Sequence, residues 1–254
     1  MVEIAISLAI IGFALVAIIG VLPFGMNVQK DNREETIINQ DETVFMNAIR
    51  NGAQGLDDLT NYVMAITNYV TEYDPTMTHV IGSWVNGYTT TNSSTTPPFP
   101  LTSGLRIVGL LTTPKYLAWG VVKTGVNVAS NHVVAYVRSM SGPAFEKFPQ
   151  KNPDVQDLGF SYRLTSEVIP YSTNYFDPSW TIDPVFRAVT STLQTNLHDV
   201  RLIFLWPLFP RGRTGSGGQA FRTLVSGQLL QTNDFGYPQY PLYFFQPQTY
   251  VKSP

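Results

Sequence analysis

The stretch Ile4–Leu22 reads IAISLAIIGFALVAIIGVL. Nineteen consecutive residues carry no charge, and Ser7 is the one polar side chain among them. At about 1.5 Å rise per residue, a helix of this length covers roughly 28 Å, close to the hydrocarbon thickness of a bilayer. Apolar residues fall on every face, so lipid or an equally apolar protein surface must surround the helix. Three ordinary explanations compete: a secretory signal, a plain membrane anchor and a buried core helix. A signal needs a positive start and a small-residue cleavage site. Here Met1-Val2-Glu3 precedes the run and Pro23-Phe24-Gly25-Met26 follows it.

The rest of the 254-residue chain is different in character. Charged residues make up only 13%, with 18 acids against 16 Lys and Arg, for a net charge of -2. That balance gives no basic excess for neutralising phosphates, so no nucleic-acid partner is expected. Cys is absent, which excludes disulfides, thiolate metal sites and cysteine nucleophiles. Hydrophobic and aromatic contents of 44% and 13% argue for a packed core rather than disorder.

Glu3 stands at the lip of the apolar run. A carboxylate carried to mid-bilayer costs about 2.5–3.5 kcal/mol, so an ionisable group at this place invites a functional reading and a named partner. No Lys or Arg occurs before Lys30. The nearest cation in an assembly is the N-terminal amine of another copy. At about 4 Å in low dielectric the two charges attract strongly, and neither is satisfied alone. The alternative is that Glu3 rests in the headgroup layer.

The segment Met1-Val2-Glu3-Ile4, the run Leu8-Ala9-Ile10-Ile11-Gly12 and the following Phe13–Leu22 resemble the N-terminus of type IV pilins and pseudopilins. The likeness covers about the first fifth of the chain. It implies a subunit that polymerises through its apolar helix, with Met1, Glu3, Gly12, Gly20 and Pro23 as assembly residues. It implies as partners further copies of the same chain in a helical homopolymer, the inner membrane before assembly, and pilus or secretion machinery. The expected place is an extracellular filament on the cell surface, reached from an inner-membrane precursor. Whether such a filament serves adhesion is left open. A fainter likeness, over Val200–Leu230, is to the C-terminal part of long pilin-like proteins of Verrucomicrobia type. The family normally has two more residues before its Glu and a charged leader before those. The true mature N-terminus is therefore expected slightly upstream, or Met1 is itself an unusual mature first residue. The family's C-terminal disulfide loop cannot exist in a chain without Cys. Lys30 and Arg33 would mark the side of the head as cytoplasmic; the resemblance places the head outside, and the reading follows the resemblance.

The expected fold is α+β. Residues 1–52 form an apolar, then amphipathic stalk helix, and residues 53–254 form a globular, β-rich head. Pro23, flanked by Gly20 and Gly25, predicts a helix break within Gly20–Asn27. Beyond it, Ile37, Ile38, Val44, Phe45, Ala48 and Ile49 make a stripe at helical spacing, ended by Gly52 and Gly55. Apolar residues at 3–4 spacing predict a second helix over residues 56–73. After Pro75, short Val/Ile/Tyr/Phe runs predict strands at His79–Val85, Leu105–Leu111, Tyr116–Lys123, His132–Ser139, Phe160–Ile169, Val200–Leu205, Phe221–Leu230 and Pro241–Phe245. The polar loop Thr89–Pro100 and the Gly-rich tip Arg211–Gly218 are expected at the outer surface.

No catalytic constellation is present, and neither enzyme activity, a cofactor nor a metal is expected. His79, His132 and His198 show no metal-ligand spacing. Asp154, Asp157, Asp177 and Asp183 sit in Pro-punctuated loops, where solvated turn carboxylates are the default over a Ca²⁺ site. Asn92-Ser93-Ser94 is a formal glycosylation sequon. Trp84, Trp119, Trp180 and Trp206 are read as core fillers. The leading reading is a filament subunit; the alternatives are a pseudopilin of a type II-like secretion system and a membrane-anchored monomeric β-domain that binds a ligand.

Overall fold

A computed structural model describes residues 2–52, 57–74, 78–91, 98–117, 127–141, 160–171, 189, 192–234, 237–247 and 249–250. It is α+β, with a long apolar N-terminal helix, a short second helix and a β-rich head. The chain divides into two compact units, Met1–Gln40 and Asp41–Pro254. The boundary lies inside the first helix, earlier than the expected division after residue 52.

Helix α1 runs over Val2–Asn51. The break expected near Pro23 is absent: residues 20–27 are helical throughout. A proline removes one backbone donor and crowds the preceding turn, at a cost of about 3 kcal/mol. The uninterrupted hydrogen-bonded turns on both sides outweigh that single defect, as they do in helices surrounded by lipid. The amphipathic stripe is buried at Ile37, Ile38, Phe45, Ala48 and Ile49, whereas Val44 stays exposed. Gly52 ends the helix with φ +66°, the left-handed conformation that stops helices at low cost for glycine. A Cβ there would also stand 2.9 Å from the Phe245 carbonyl oxygen.

The helix expected over residues 56–73 is instead a 3-10 turn, Asp57–Asn61, followed by strand β1, Val63–Tyr73. Two features account for the difference. Val63, Ile66, Thr67, Val70 and Thr71 are β-branched and suit a pleated surface. A register shift between Val63 and Ala65 also changes the phase of the strand. Val63 and Ile66 are then both buried, and one strand imitates helical spacing.

The opposite substitution occurs at Leu105–Leu111, expected as a strand. Gly104–Leu111 is helix α2, started by Ser103, whose hydroxyl accepts a bond from the Arg106 N–H at 3.3 Å. Gly104, Ile107, Val108, Leu110 and Leu111 are buried, a helical face that a short apolar run does not distinguish from a strand.

The remaining strands are β2 (Val80–Thr89), β3 (Phe99–Pro100), β4 (Tyr116–Leu117), β5 (Val128–Arg138), β6 (Ser161–Pro170), β7 (Leu197–Leu208), β8 (Thr214–Ser226), β9 (Gln228–Asp234) and β10 (Tyr237–Gln246). The main sheet has eight strands in the order β3-β2-β1-β5-β6-β7-β8, with β4 added to β5. All its pairs are antiparallel except β2 with β3. β9 and β10 form a separate antiparallel pair. The main core lies on one face of the sheet, where Val133, Ala135, Tyr162, Leu164, Val200, Leu202 and Phe204 are buried. Gly109 in α2 brings the helix close to β10, since a Cβ there would meet Phe244 at 2.7 Å and Leu242 at 2.8 Å.

The hairpin between β7 and β8 turns over Phe209–Arg213, with the Phe209 N–H bonded to the Arg213 carbonyl at 2.7 Å. Arg211 and Arg213 are exposed. Thr214–Gly218, however, belong to β8 rather than to a loose tip. Their glycines admit the side chains of Trp206 and Pro207, which lie where Cβ atoms of Gly217 and Gly215 would be. Thr90 and Thr91 are exposed, Phe99 at the other end of that loop is buried against Tyr88, and residues 92–97 are outside the described set.

His198 on β7 is buried with Phe245 edge-on at 5.2 Å, and its Nδ1 has no hydrogen-bond partner among the described residues. Burial lowers its pKa from 6.5 to about 4. The folded state therefore binds this proton less well than the unfolded chain. The stability that follows is complete above pH 6.5 and is lost as pH falls toward about 4. A His198→Phe variant should show a flatter acid limb in denaturant unfolding, the two proteins diverging by up to about 3 kcal/mol across that window. Parallel curves would show that His198 does not titrate on unfolding.

Candidate functional site: the exposed apolar helix

The most unusual surface of the molecule is the first half of α1. An eighteen-residue window of this helix is apolar enough to cross a membrane, and none of it is buried. Phe13 is 79% exposed, Val2 73% and Phe24 72%. Exposed contiguous apolar surface on this scale is unfavourable in water and marks a membrane or protein contact.

Glu3, Gly12, Gly20 and Pro23 all lie on this exposed helix. Among the described residues Glu3 has no ion-pair partner within the chain. Gly12 and Gly20 have nothing within 4 Å of where a Cβ would stand, so each leaves an open notch for a neighbouring surface. Met1, the glycosylation candidate Asn92, Asp154, Asp157, Asp177 and Asp183 fall outside the described residues. Among those described, no three His, Asp or Glu gather as a metal site.

Where the head begins, Asp41 does what the sequence did not signal directly. It is fully buried. One oxygen accepts from the Met140 N–H at 3.0 Å and the Tyr162 hydroxyl at 2.9 Å, and the other from the Ser141 hydroxyl. The last turns of α1 are thereby tied to the end of β5 and to β6. Burial raises the Asp41 pKa, and the hydrogen bonds from Ser141, Met140 and Tyr162 offset this only in part. The Tyr162 pKa lies well above the usual phenol range, through burial first and the adjacent Asp41 second. The available signal was positional: Asp41 falls on the Ile37–Ile38–Phe45–Ala48 stripe, where a carboxylate is costly without partners.

A second polar cluster crosses the outer face of the sheet. Glu167 on β6, Arg201 on β7 and Arg222 on β8 are directly opposite one another. Asp199 accepts from Arg201 at 2.9 and 2.7 Å and from Arg222 at 2.8 Å. Burial opposes the Asp199 anion, but the bonds from Arg222 and Arg201 prevail and hold its pKa below the usual value. Lys115 completes the row, 2.6 Å from Glu167. The Asp199 carboxylate lets two guanidinium groups stand side by side, so this row is a sheet-bracing network rather than a free anion site. His79 pairs with Asp74 at 3.6 Å and His132 lies beside Tyr69, both exposed.

No protein family, curated protein or solved structure matches the chain. The functional reading therefore rests on the geometry and on the resemblance of the N-terminal segment.

Two outcomes are expected. Asp41→Ala leaves the buried Tyr162 hydroxyl and the Met140 N–H without an acceptor, at about 1–3 kcal/mol per group. The melting temperature of the head should drop by about 10 °C, and a drop within error would contradict the tie. Ile11→Lys with Ile18→Lys adds about 2.5–3.5 kcal/mol per charge to insertion at the helix centre. The double variant should shift from the carbonate-resistant membrane fraction to the soluble or degraded one, and unchanged membrane retention would show that the segment does not insert.

Proposed function

We propose that the chain is a structural subunit of a type IV pilus-like extracellular helical filament. It polymerises through its N-terminal helix and has no catalytic role. The observation that carries this reading is the fully exposed apolar half of α1, joined without interruption to the turns that Asp41 secures in the head. In the membrane this segment is covered by lipid. In a filament the same surface is covered by copies of itself, so one hydrophobic demand is met before and after assembly. The resemblance of Met1–Leu22 to pilin N-termini supports the same choice.

Glu3 takes the role of the assembly contact. Its carboxylate, without an ion-pair partner among the described residues, pairs in the filament with the N-terminal amine of a neighbouring copy. Gly12 and Gly20 let helices approach closely. Pro23, although helical in the single chain, is the place where α1 yields if subunits compress, since its turn lacks one backbone hydrogen bond. The near-neutral net charge of -2 lets heads pack without strong repulsion. The assembly machinery and the inner-membrane precursor state are parts of the same proposal.

The test is direct. Sheared cell-surface material should contain regular fibres made of this chain. Glu3→Gln should leave membrane insertion intact while fibre yield falls, because a buried amine without its partner costs about 3–5 kcal/mol. Normal fibre yield from the variant would reject the pair, and a chain recovered only as a detergent-soluble monomer would favour a membrane-anchored binding domain.

A further inference from the structure

Three asparagines occupy positions on the core face of three adjacent strands, where the pattern calls for apolar side chains. Asn86 on β2 is directly opposite Asn68 on β1, and one pleat along, Trp84, Val70 and Asn131 form the next row across β2, β1 and β5. These residues floor a half-open cleft of ≈ 160 Å³. Tyr88 adds to its wall, and Leu110 and Thr113 at the end of α2, with Pro241 and Tyr243 of β10, line its other side.

The polar groups of this cleft are incompletely used. The Asn68 amide donates to Asn131 Oδ1 at 3.0 Å, and the Asn131 amide donates to the Pro114 carbonyl at 2.9 Å. That chain of bonds orients both side chains. It leaves Asn68 Oδ1 buried and without a partner among the described residues, on a residue only 9% exposed. A buried acceptor left unmet opposes folding, so this polar row beside the cleft is kept at a cost in stability. Trp84, 44% exposed, presents a large aromatic surface at the same place.

We infer that this cleft binds one ring of a neutral sugar. No charged side chain is among the described lining residues, so an anion or an amino acid would lack counter-charges there. A purely apolar ligand would set the lining carboxamides of Asn68, Asn86 and Asn131 against carbon. A pyranose fits both demands: its C–H face packs on an aromatic ring, and its rim of hydroxyls donates to and accepts from carboxamides. The cleft is smaller than the pockets that hold drug-sized ligands, which suits a single ring rather than an oligosaccharide buried along its length. The half-open mouth lets the ring be a terminal residue of a glycan as well as a free sugar. The inference does not depend on polymerisation.

The experiment uses the full chain in a sugar-free zwitterionic detergent. D-glucose, D-galactose, D-mannose, N-acetylglucosamine, N-acetylgalactosamine and their methyl glycosides are titrated, with saturation-transfer NMR and tryptophan fluorescence as readouts. At least one sugar should saturate in the millimolar range. Trp84→Ala should weaken it by about tenfold, and Asn68→Leu should abolish it. Asn86→Ala, a truncation on β2 near the sheet edge, provides a second folded variant if Asn68→Leu does not fold. Equal binding of the methyl glycoside identifies a site open to a linked glycan; preference for the free sugar identifies a closed one. The absence of saturation by every sugar, or saturation unchanged in both Trp84→Ala and Asn86→Ala, overturns the inference.

Discussion

A buried carboxylate at the start of the head is the contact on which the rest of the structure depends. Asp41 has three donors aimed at it, from Met140, Ser141 and Tyr162. Each of these groups alone would be costly to bury; together they satisfy one another. Because Asp41 belongs to α1 and its donors belong to the end of β5 and to β6, the pairing joins segments about a hundred residues apart in sequence. The apolar packing of Phe45, Ala48 and Ile49 supplies burial around it, but apolar contacts alone tolerate sliding. The carboxylate sets the register of the last turns of α1 against the end of β5 and against β6.

That register matters because the same helix continues as a surface the chain itself does not cover. The hydrophobic effect makes an exposed apolar helix an unsatisfied half of an interface. The head contributes the opposite property. Its sheet has a largely apolar core on one face and a row of paired charges, Lys115–Glu167 and Arg201–Asp199–Arg222, on the other. One end of the chain is therefore an open apolar surface and the other a packed core.

The head also departs from simple apolar patterning in one region. On β6 and β7 the core face is mostly apolar, with Tyr162, Leu164, Val168, Val200, Leu202 and Phe204 interrupted by Ser166, whose hydroxyl donates to the Leu111 carbonyl. On β2, β1 and β5 the corresponding face carries Asn86, Asn68 and Asn131. Buried amides in place of valines weaken a core unless something gains from them. The cleft they floor is the place where the fold gives up packing for chemistry.

The sequence by itself determined the apolar helix, the absence of disulfides, the β-rich character of the head and the approximate places of β2, β5, β6, β7 and β10. These follow from local facts: nineteen uncharged residues in a row, no Cys, and Val/Ile/aromatic runs between turn residues. Only the tertiary structure decided the elements whose local signals are degenerate. Val63–Tyr73 has helical spacing but is a strand, because a bulge shifts its phase and neighbouring strands supply its hydrogen bonds. Leu105–Leu111 is as apolar as a strand but is helical, because Ser103 caps it and one helical face of it is buried. Pro23 signals a break, but the long helix on both sides carries it through. Asp41, Asp199 and the three asparagines were illegible for a common reason. The meaning of a buried polar residue lies in its partners, and those partners are brought together only by strands distant in the chain.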